Sequence, residues 1–257
     1  MIYLGSKAKL SDFILSSIFN DMKSKNQTSS VFVDAFCGGG NLIQFVPSRY
    51  VRIASDINKY TVSFLNKIQE DVSWIPQNSS EYTIEDYKFT KNSIMKGNKF
   101  ISDNSLKYHD YFIAHVGYNL SYSGKFFGGF RQDKSNKRDY VKEAYNHTLK
   151  QLNLIQGITF YHRSYEFYSS TEFKESNCII YCDIPYKNTT KYDANDFEFD
   201  YSTFYEWCKY MTNVGHNVYI SEYSMPEEFK IIASKDTVSK VNQIGNSSIK
   251  TEKIFTL

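Results

Sequence analysis

The chain is short of proline, with four in 257 residues, and it holds only four cysteines and two tryptophans. Scarce proline and the absence of internal repeats exclude proline-rich and low-complexity architectures. Cys37, Cys178, Cys182 and Cys208 are scattered, which gives neither a disulfide framework nor the paired spacing of a zinc site, and no metal is expected. Cys178 and Cys182 flank Ile179-Ile180-Tyr181 and read as filling of a buried strand. Long apolar runs are also missing. The N-terminal stretch Leu10-Ser11-Asp12-Phe13-Ile14-Leu15 is broken by polar residues and follows Lys9, so it lacks the uninterrupted core of a signal peptide, and no segment reaches membrane-spanning length. A cytoplasmic setting with no membrane partner is the expectation. The net charge of +2 is too small to argue for a nucleic-acid partner by itself, so local patterning has to decide. Present in quantity are 22 tyrosines and 20 phenylalanines, the material of an ordered core. The length suits one large domain carrying a smaller insertion.

The most informative residues are Asp183-Ile184-Pro185-Tyr186, which follow the apolar run Cys178-Ile179-Ile180-Tyr181-Cys182. They place a carboxylate, a carbonyl and an aromatic face together. Pro185 fixes its own φ and biases Ile184 toward an extended backbone. The Asp183 side chain and the Ile184 carbonyl can then accept hydrogen bonds from one exocyclic amine, with Tyr186 flat against the ring. Taken alone, the same four residues also describe an ordinary strand-to-loop turn.

Upstream, Val31-Phe32-Val33-Asp34 reads as a short buried strand running into Ala35-Phe36-Cys37-Gly38-Gly39-Gly40 and a helix start at Asn41. Glycines let a backbone approach a ligand closely, and a helix start adds unpaired amides. The spacing is not the dinucleotide fingerprint. A second strand, Val51-Arg52-Ile53-Ala54-Ser55, ends in Asp56, as ribose-binding acids do in nucleoside-binding α/β folds. The plainer reading makes the glycines a tight turn and Asp56 a cap. At the amino terminus stands Tyr3-Leu4-Gly5-Ser6-Lys7.

Tyr3-Leu4-Gly5-Ser6-Lys7, the Asp34 to Gly40 turn, Ser55-Asp56-Ile57-Asn58 and Asp183-Ile184-Pro185-Tyr186 occur in the order of the motifs of Dam-type DNA adenine methyltransferases, and the chain resembles that family, phage and prophage members included. Lys250-Thr251-Glu252-Lys253-Ile254-Phe255 is similar to the family's final strand. The resemblance implies S-adenosylmethionine as cofactor, held by Tyr3, Lys7, Asp34, Phe36, Gly38, Gly39, Gly40, Asp56, Ile57 and Asp183, with Asp56 on the ribose hydroxyls and Asp183 where cofactor and base meet. It also implies catalysis by Asp183, Ile184, Pro185 and Tyr186. One departure stands out: Ile184 replaces the first of the two prolines usual in that tetrapeptide. Any residue supplies the carbonyl, so activity is expected to survive on a somewhat less rigid loop. Methylation of a cytosine ring carbon is excluded, because its cysteine nucleophile commonly follows a proline, and here Pro47, Pro76, Pro185 and Pro226 precede Ser48, Gln77, Tyr186 and Glu227.

Between the two halves, residues 118–131 interleave aromatics, glycines and cations, and Lys134, Lys137, Arg138 and Lys142 follow. Cations pair with phosphates and aromatics wedge or stack. Lys125, Phe127, Arg131, Lys134, Lys137 and Arg138 are the expected contacts to double-stranded DNA, the alternative being a solvated loop with core anchors, its charge diluted by Asp133 and Asp139. The five histidines are dispersed, and none is assigned to catalysis.

Strands at Val31, Val51, Ile179 and Val218 alternate with helices near Leu10, Tyr60 and Tyr201, the pattern of a mostly parallel sheet covered on both faces. With the family resemblance, the expected fold is α/β: a Rossmann-like methyltransferase sheet closed by an antiparallel hairpin of 237–241 and 253–257, with an inserted, mainly helical recognition domain. Residues 1–83 and 164–257 would form the catalytic domain and 84–163 the insertion. Gly38, Asp56 and Asp183 fall just past strand ends, where ligands collect. The expected reaction is methyl transfer to the exocyclic N6 of a flipped-out adenine. Cytosine N4 and a non-catalytic DNA-binding protein of the same fold are the alternatives. Host-genome marking, phage self-protection and pairing with a cognate restriction enzyme all call on that one catalyst.

Overall fold

The computed structural model describes residues 1–95, 109–133, 135, 137–187, 199–240 and 247–257. Its strands are β1 (Val31–Asp34), β2 (Val51–Asp56), β3 (Ile158–His162), β4 (Ile179–Asp183), β5 (Asn217–Glu222), β6 (Lys230–Lys240) and β7 (Ser247–Thr256). Its α-helices are α1 (Ser11–Ser24), α2 (Lys59–Glu70), α3 (Ile84–Met95), α4 (Asp110–Ala114), α5 (Tyr140–Ile155) and α6 (Tyr201–Asn213). The strands form one sheet in the order β3-β2-β1-β4-β5-β7-β6. β1 runs parallel to β2 and to β4, β4 runs parallel to β5, and β7 is antiparallel to β5 and β6. The expected mostly parallel sheet with a closing antiparallel hairpin is therefore present. Val241, placed in that hairpin from sequence, lies outside the described residues.

The central strands show why the apolar runs were readable. β1 and β5 are buried along their whole length, and β4 is buried up to Asp183, as expected for parallel strands covered on both faces. The strand order reverses at β1: the chain leaves β1 toward β2 on one side and returns to β4 on the other. Asp34 and Asp183 end these two neighbours. In open α/β sheets this reversal, at the carboxyl ends of the strands, is where ligands bind.

Local chemistry sets the helix starts. The Asn58 side chain accepts from the Tyr60 amide at the head of α2, Asp139 accepts from the Val141 and Lys142 amides ahead of α5, and Asp200 accepts from Thr203 ahead of α6. Each satisfies donors that a helix start leaves unpaired. Sequence patterning treats Asp139 only as a charge that dilutes a basic stretch; its structural role is to cap α5.

The chain divides into two compact units. One comprises Met1–Lys7, Cys37–Phe45 and Ser55–His162; the other comprises Ala8–Phe36, Val46–Ala54 and Arg163–Leu257. The first unit has its own core, including Tyr82, Tyr87, Phe112, Val116 and Phe127. The second packs Ile180, Ile184, Phe204, Trp207 and Ile220 around the central strands. The glycine turn and the amino terminus thus share a unit with the aromatic segment 118–131. β3, in that unit, was not foreseen: its burial alternates only weakly and three of its five residues are exposed.

Candidate active site

In the first unit the glycine turn is built around Tyr3. Gly38 has φ +47°, and a Cβ there would come within 2.7 Å of the Tyr3 ring; a Cβ on Gly39 would meet the Asn41 side chain at the same distance. At Gly38 only glycine satisfies both the backbone and the space. The Gly38 amide donates to the Asp56 carboxylate at 2.7 Å, and the Asn58 amide donates to its other oxygen at 2.8 Å. Burial pushes the Asp56 carboxyl above the usual aspartate range, with the amides of Asn58 and Gly38 opposing it. Gln151 donates to the Gly39 carbonyl at 2.9 Å, which holds the turn from below. Ile57, next to Asp56, is 58% exposed.

The N-terminal segment is pinned by the aromatic stretch that sequence analysis assigns to DNA. The Ile2 amide donates to Asn119 at 2.7 Å, and the Leu4 amide donates to the Gly124 carbonyl at 3.1 Å. Gly124 has φ +66° and has no room for a Cβ, which would lie 2.8 Å from the Tyr3 nitrogen. Tyr118 packs 5.2 Å from Tyr3, and its hydroxyl accepts from the Asn58 side chain at 2.6 Å. Tyr118 and Asn119 stand on a π-helical turn, His115–Asn119, a local irregularity frequent at functional sites. Their support of Tyr3 and Asn58 escaped sequence reasoning, because no local pattern links residues so far apart along the chain. Lys7, half-buried, closes the segment.

In the second unit, Asp34 is 2% exposed and Asp183, half-buried, ends the adjacent strand. The Ala35 amide donates to the Tyr181 carbonyl at 2.9 Å, so β1 and β4 stay in register to their ends. Phe36 stacks on Tyr165 at 5.4 Å and meets Phe199 and Phe204 edge-on. The tetrapeptide loop is anchored at each residue past the acid. Ile184 is 2% exposed and belongs to the core. The Pro185 carbonyl accepts from the Tyr201 hydroxyl at 2.8 Å. The Tyr186 hydroxyl donates to Glu252, and the Lys187 amide donates to Glu222 at 2.7 Å. Glu222 and Glu252 are both buried; the sequence gives neither a role, because a lone glutamate ordinarily reads as solvated. Ile184 thus replaces proline's ring stiffness with a side chain sunk in the core.

All four cysteines are buried thiols outside any disulfide, and burial pushes the Cys178 thiol up to about 12. Cys178 and Cys182 pack in the core of the second unit, as the sequence suggests, and Cys208 joins them there.

Residues 3–248 match the family model of the D12 class N6 adenine-specific DNA methyltransferases. The chain belongs to this family. No curated protein matches it. The protein is an adenine-specific DNA methyltransferase, and use of S-adenosylmethionine and base flipping are general in the family. Adenine N6, rather than cytosine N4, is the acceptor, and the non-catalytic alternative falls.

The expected DNA-binding residues of this methyltransferase have different surroundings. Lys125 and Lys137 are exposed. Arg138 grips Glu143 with two hydrogen bonds, 2.7 and 2.8 Å. Arg131 lies 3.7 Å from the same carboxylate and 4.4 Å over the Tyr140 ring. Phe127 is 4% exposed and packs on Tyr87 at 5.6 Å, so it is a core anchor with no face open to a base. Lys134 lies outside the described residues. Among the described residues no helix is long and apolar enough to cross a membrane, and no cluster of acidic, histidine or cysteine side chains is arranged to hold a metal.

Proposed function

We propose that the methyltransferase holds the flipped adenine with the Asp183 carboxylate and the Ile184 carbonyl on its amino hydrogens and the Tyr186 ring on its face. The observation that carries this reading is the loop itself. An acid at the end of β4, beside the strand-order reversal, is followed by three residues fixed through core burial, a carbonyl bond and a hydroxyl bond. An adenine amine is a poor nucleophile because its lone pair delocalises into the ring. Two acceptors on its hydrogens favour a more tetrahedral nitrogen and free that pair for attack. The contribution of these residues is orientation and electrostatics. Stacking on Tyr186, worth about 1–3 kcal/mol, offsets part of the few kcal/mol lost on extrusion.

For the cofactor we propose Tyr3, Lys7, Asp34, Phe36, Gly38, Gly39, Gly40, Asp56 and Ile57 as the holding residues. The fit is supported by the glycine turn, where Gly38 has a left-handed backbone and no room for a side chain, and by Asp56, fixed by two amides as an acceptor suited to hydroxyls. Bound there, S-adenosylmethionine supplies an electrophilic methyl group on a sulfonium. Lys125, Lys137 and, on release from Glu143, Arg138 and Arg131 are proposed to meet the phosphates of double-stranded DNA.

Incubating the protein with labelled S-adenosylmethionine and unmethylated DNA, then hydrolysing to nucleosides, tests the reading. Label in N6-methyladenine that disappears in Asp183→Ala, with cofactor affinity retained, supports it. Near-normal turnover in that variant removes Asp183 from catalysis.

A further inference from the structure

We propose that Glu252 is a positioning residue, fixing where the Tyr186 ring stands for the target adenine; the proposal rests on the reading of Tyr186 given above. Glu252 lies on β7, is 4% exposed, and accepts the Tyr186 hydroxyl. The other end of the arrangement is Tyr223, whose ring stands perpendicular to that of Tyr186 at 4.6 Å and 88°. Lys250 sits 5.4 Å from the Tyr223 centroid. The phenolic oxygen lies on the axis of the second side-chain torsion, so the bond to Glu252 fixes where the ring stands while the Tyr223 contact fixes its plane, and together they present the ring in one orientation before the base arrives. Preorganisation of this kind reduces what must be ordered during the reaction.

The neighbouring acid does a different job. Glu222, 1% exposed, takes the amides of Lys187, Tyr223 and Ser224 and so fixes backbone. Glu252 takes a side-chain hydroxyl and fixes a ring. A carboxylate buried in a strand is costly unless hydrogen-bonded, and an apolar residue would fill that strand position at less cost. The acid is therefore explained by what it holds.

The test is steady-state transfer from tritiated S-adenosylmethionine to unmethylated plasmid DNA, with cofactor Kd and thermal unfolding recorded for each variant. Glu252→Ala should lower kcat about tenfold to a hundredfold, the range that small misplacements cost, and leave cofactor Kd unchanged. Glu252→Gln keeps an acceptor oxygen and should recover most of the rate. In a Tyr186→Phe background the hydroxyl is already gone, so Glu252→Ala should cost less than about twofold more. A purely structural role would cost the same factor in both backgrounds and would overturn the proposal. Tyr186→Phe alone is the arm that does not depend on how Glu252→Ala folds: it should lose rate like Glu252→Ala, and wild-type kcat in it overturns the proposal. Tyr186→Ala separates the two readings. Full turnover there defeats the stacking role itself, whereas loss in Tyr186→Ala with wild-type kcat in Tyr186→Phe defeats only the role of Glu252.

Discussion

At the scale of single residues, Asp56 and Ile184 show how environment redirects a familiar side chain. Asp56 is an acid pushed above its ordinary range by burial, so on acidification it gains its proton earlier than an exposed aspartate. If it takes the ribose hydroxyls, cofactor affinity measured by calorimetry should fall as pH drops through that raised range, while Asp56→Asn binds weakly at every pH. Parallel pH profiles for the two proteins would remove Asp56 from the cofactor site. Ile184 makes a separate prediction. Because its side chain is in the core, Ile184→Ala should destabilise the protein by about 2–5 kcal/mol in urea unfolding. A loss below about 1 kcal/mol would mean that the side chain anchors nothing.

At the scale of elements, Asp139 takes two amides at the head of α5 and also the amide and hydroxyl of Ser79. Asp139→Ala should cost about 1 kcal/mol or somewhat more, read from the urea midpoint, and a neutral outcome would deny it a capping role. What sequence makes legible at this scale has a physical basis. β1, β2, β4 and β5 are apolar runs that stop at a polar residue, and the glycine turn after β1 is recognisable because positive φ and a crowded neighbour leave glycine no substitute. β3 is short and mostly exposed, so its pattern is weak. The π-helical turn escapes because its five residues carry no periodicity of their own. The roles of Tyr118, Asn119 and Gln151 depend on partners far along the chain, and those of Glu222 and Glu252 on burial that composition argues against. Phe127 illustrates the converse: its cationic, glycine-rich surroundings suggest a surface, while its ring completes a core.

At the scale of the whole molecule, one acid-sensitive histidine matters. Burial holds His115 down at about 3. It is neutral in the folded chain at pH values where the unfolded chain, near 6.5, is already charged. Its stabilising contribution is complete above that value and is lost as pH falls through the window down to about 3. Thermal unfolding should therefore weaken across this window, and His115→Leu should show a shallower decline; an unchanged slope would assign the acid sensitivity elsewhere. DNA affinity should respond to salt through the exposed lysines. Replacing Lys125 and Lys137 with Ala should reduce the slope of log K against log salt by about 1 for each phosphate no longer neutralised, and an unaltered slope would place the DNA on another face.

The covered sulfurs have a practical corollary. With Cys37, Cys178, Cys182 and Cys208 all enclosed, maleimide chemistry on the native fold should find no fast target. A cysteine introduced at exposed Lys137 would then be the sole rapidly alkylated position, giving a one-dye reporter that follows duplex engagement in real time without removing any of the natural thiols.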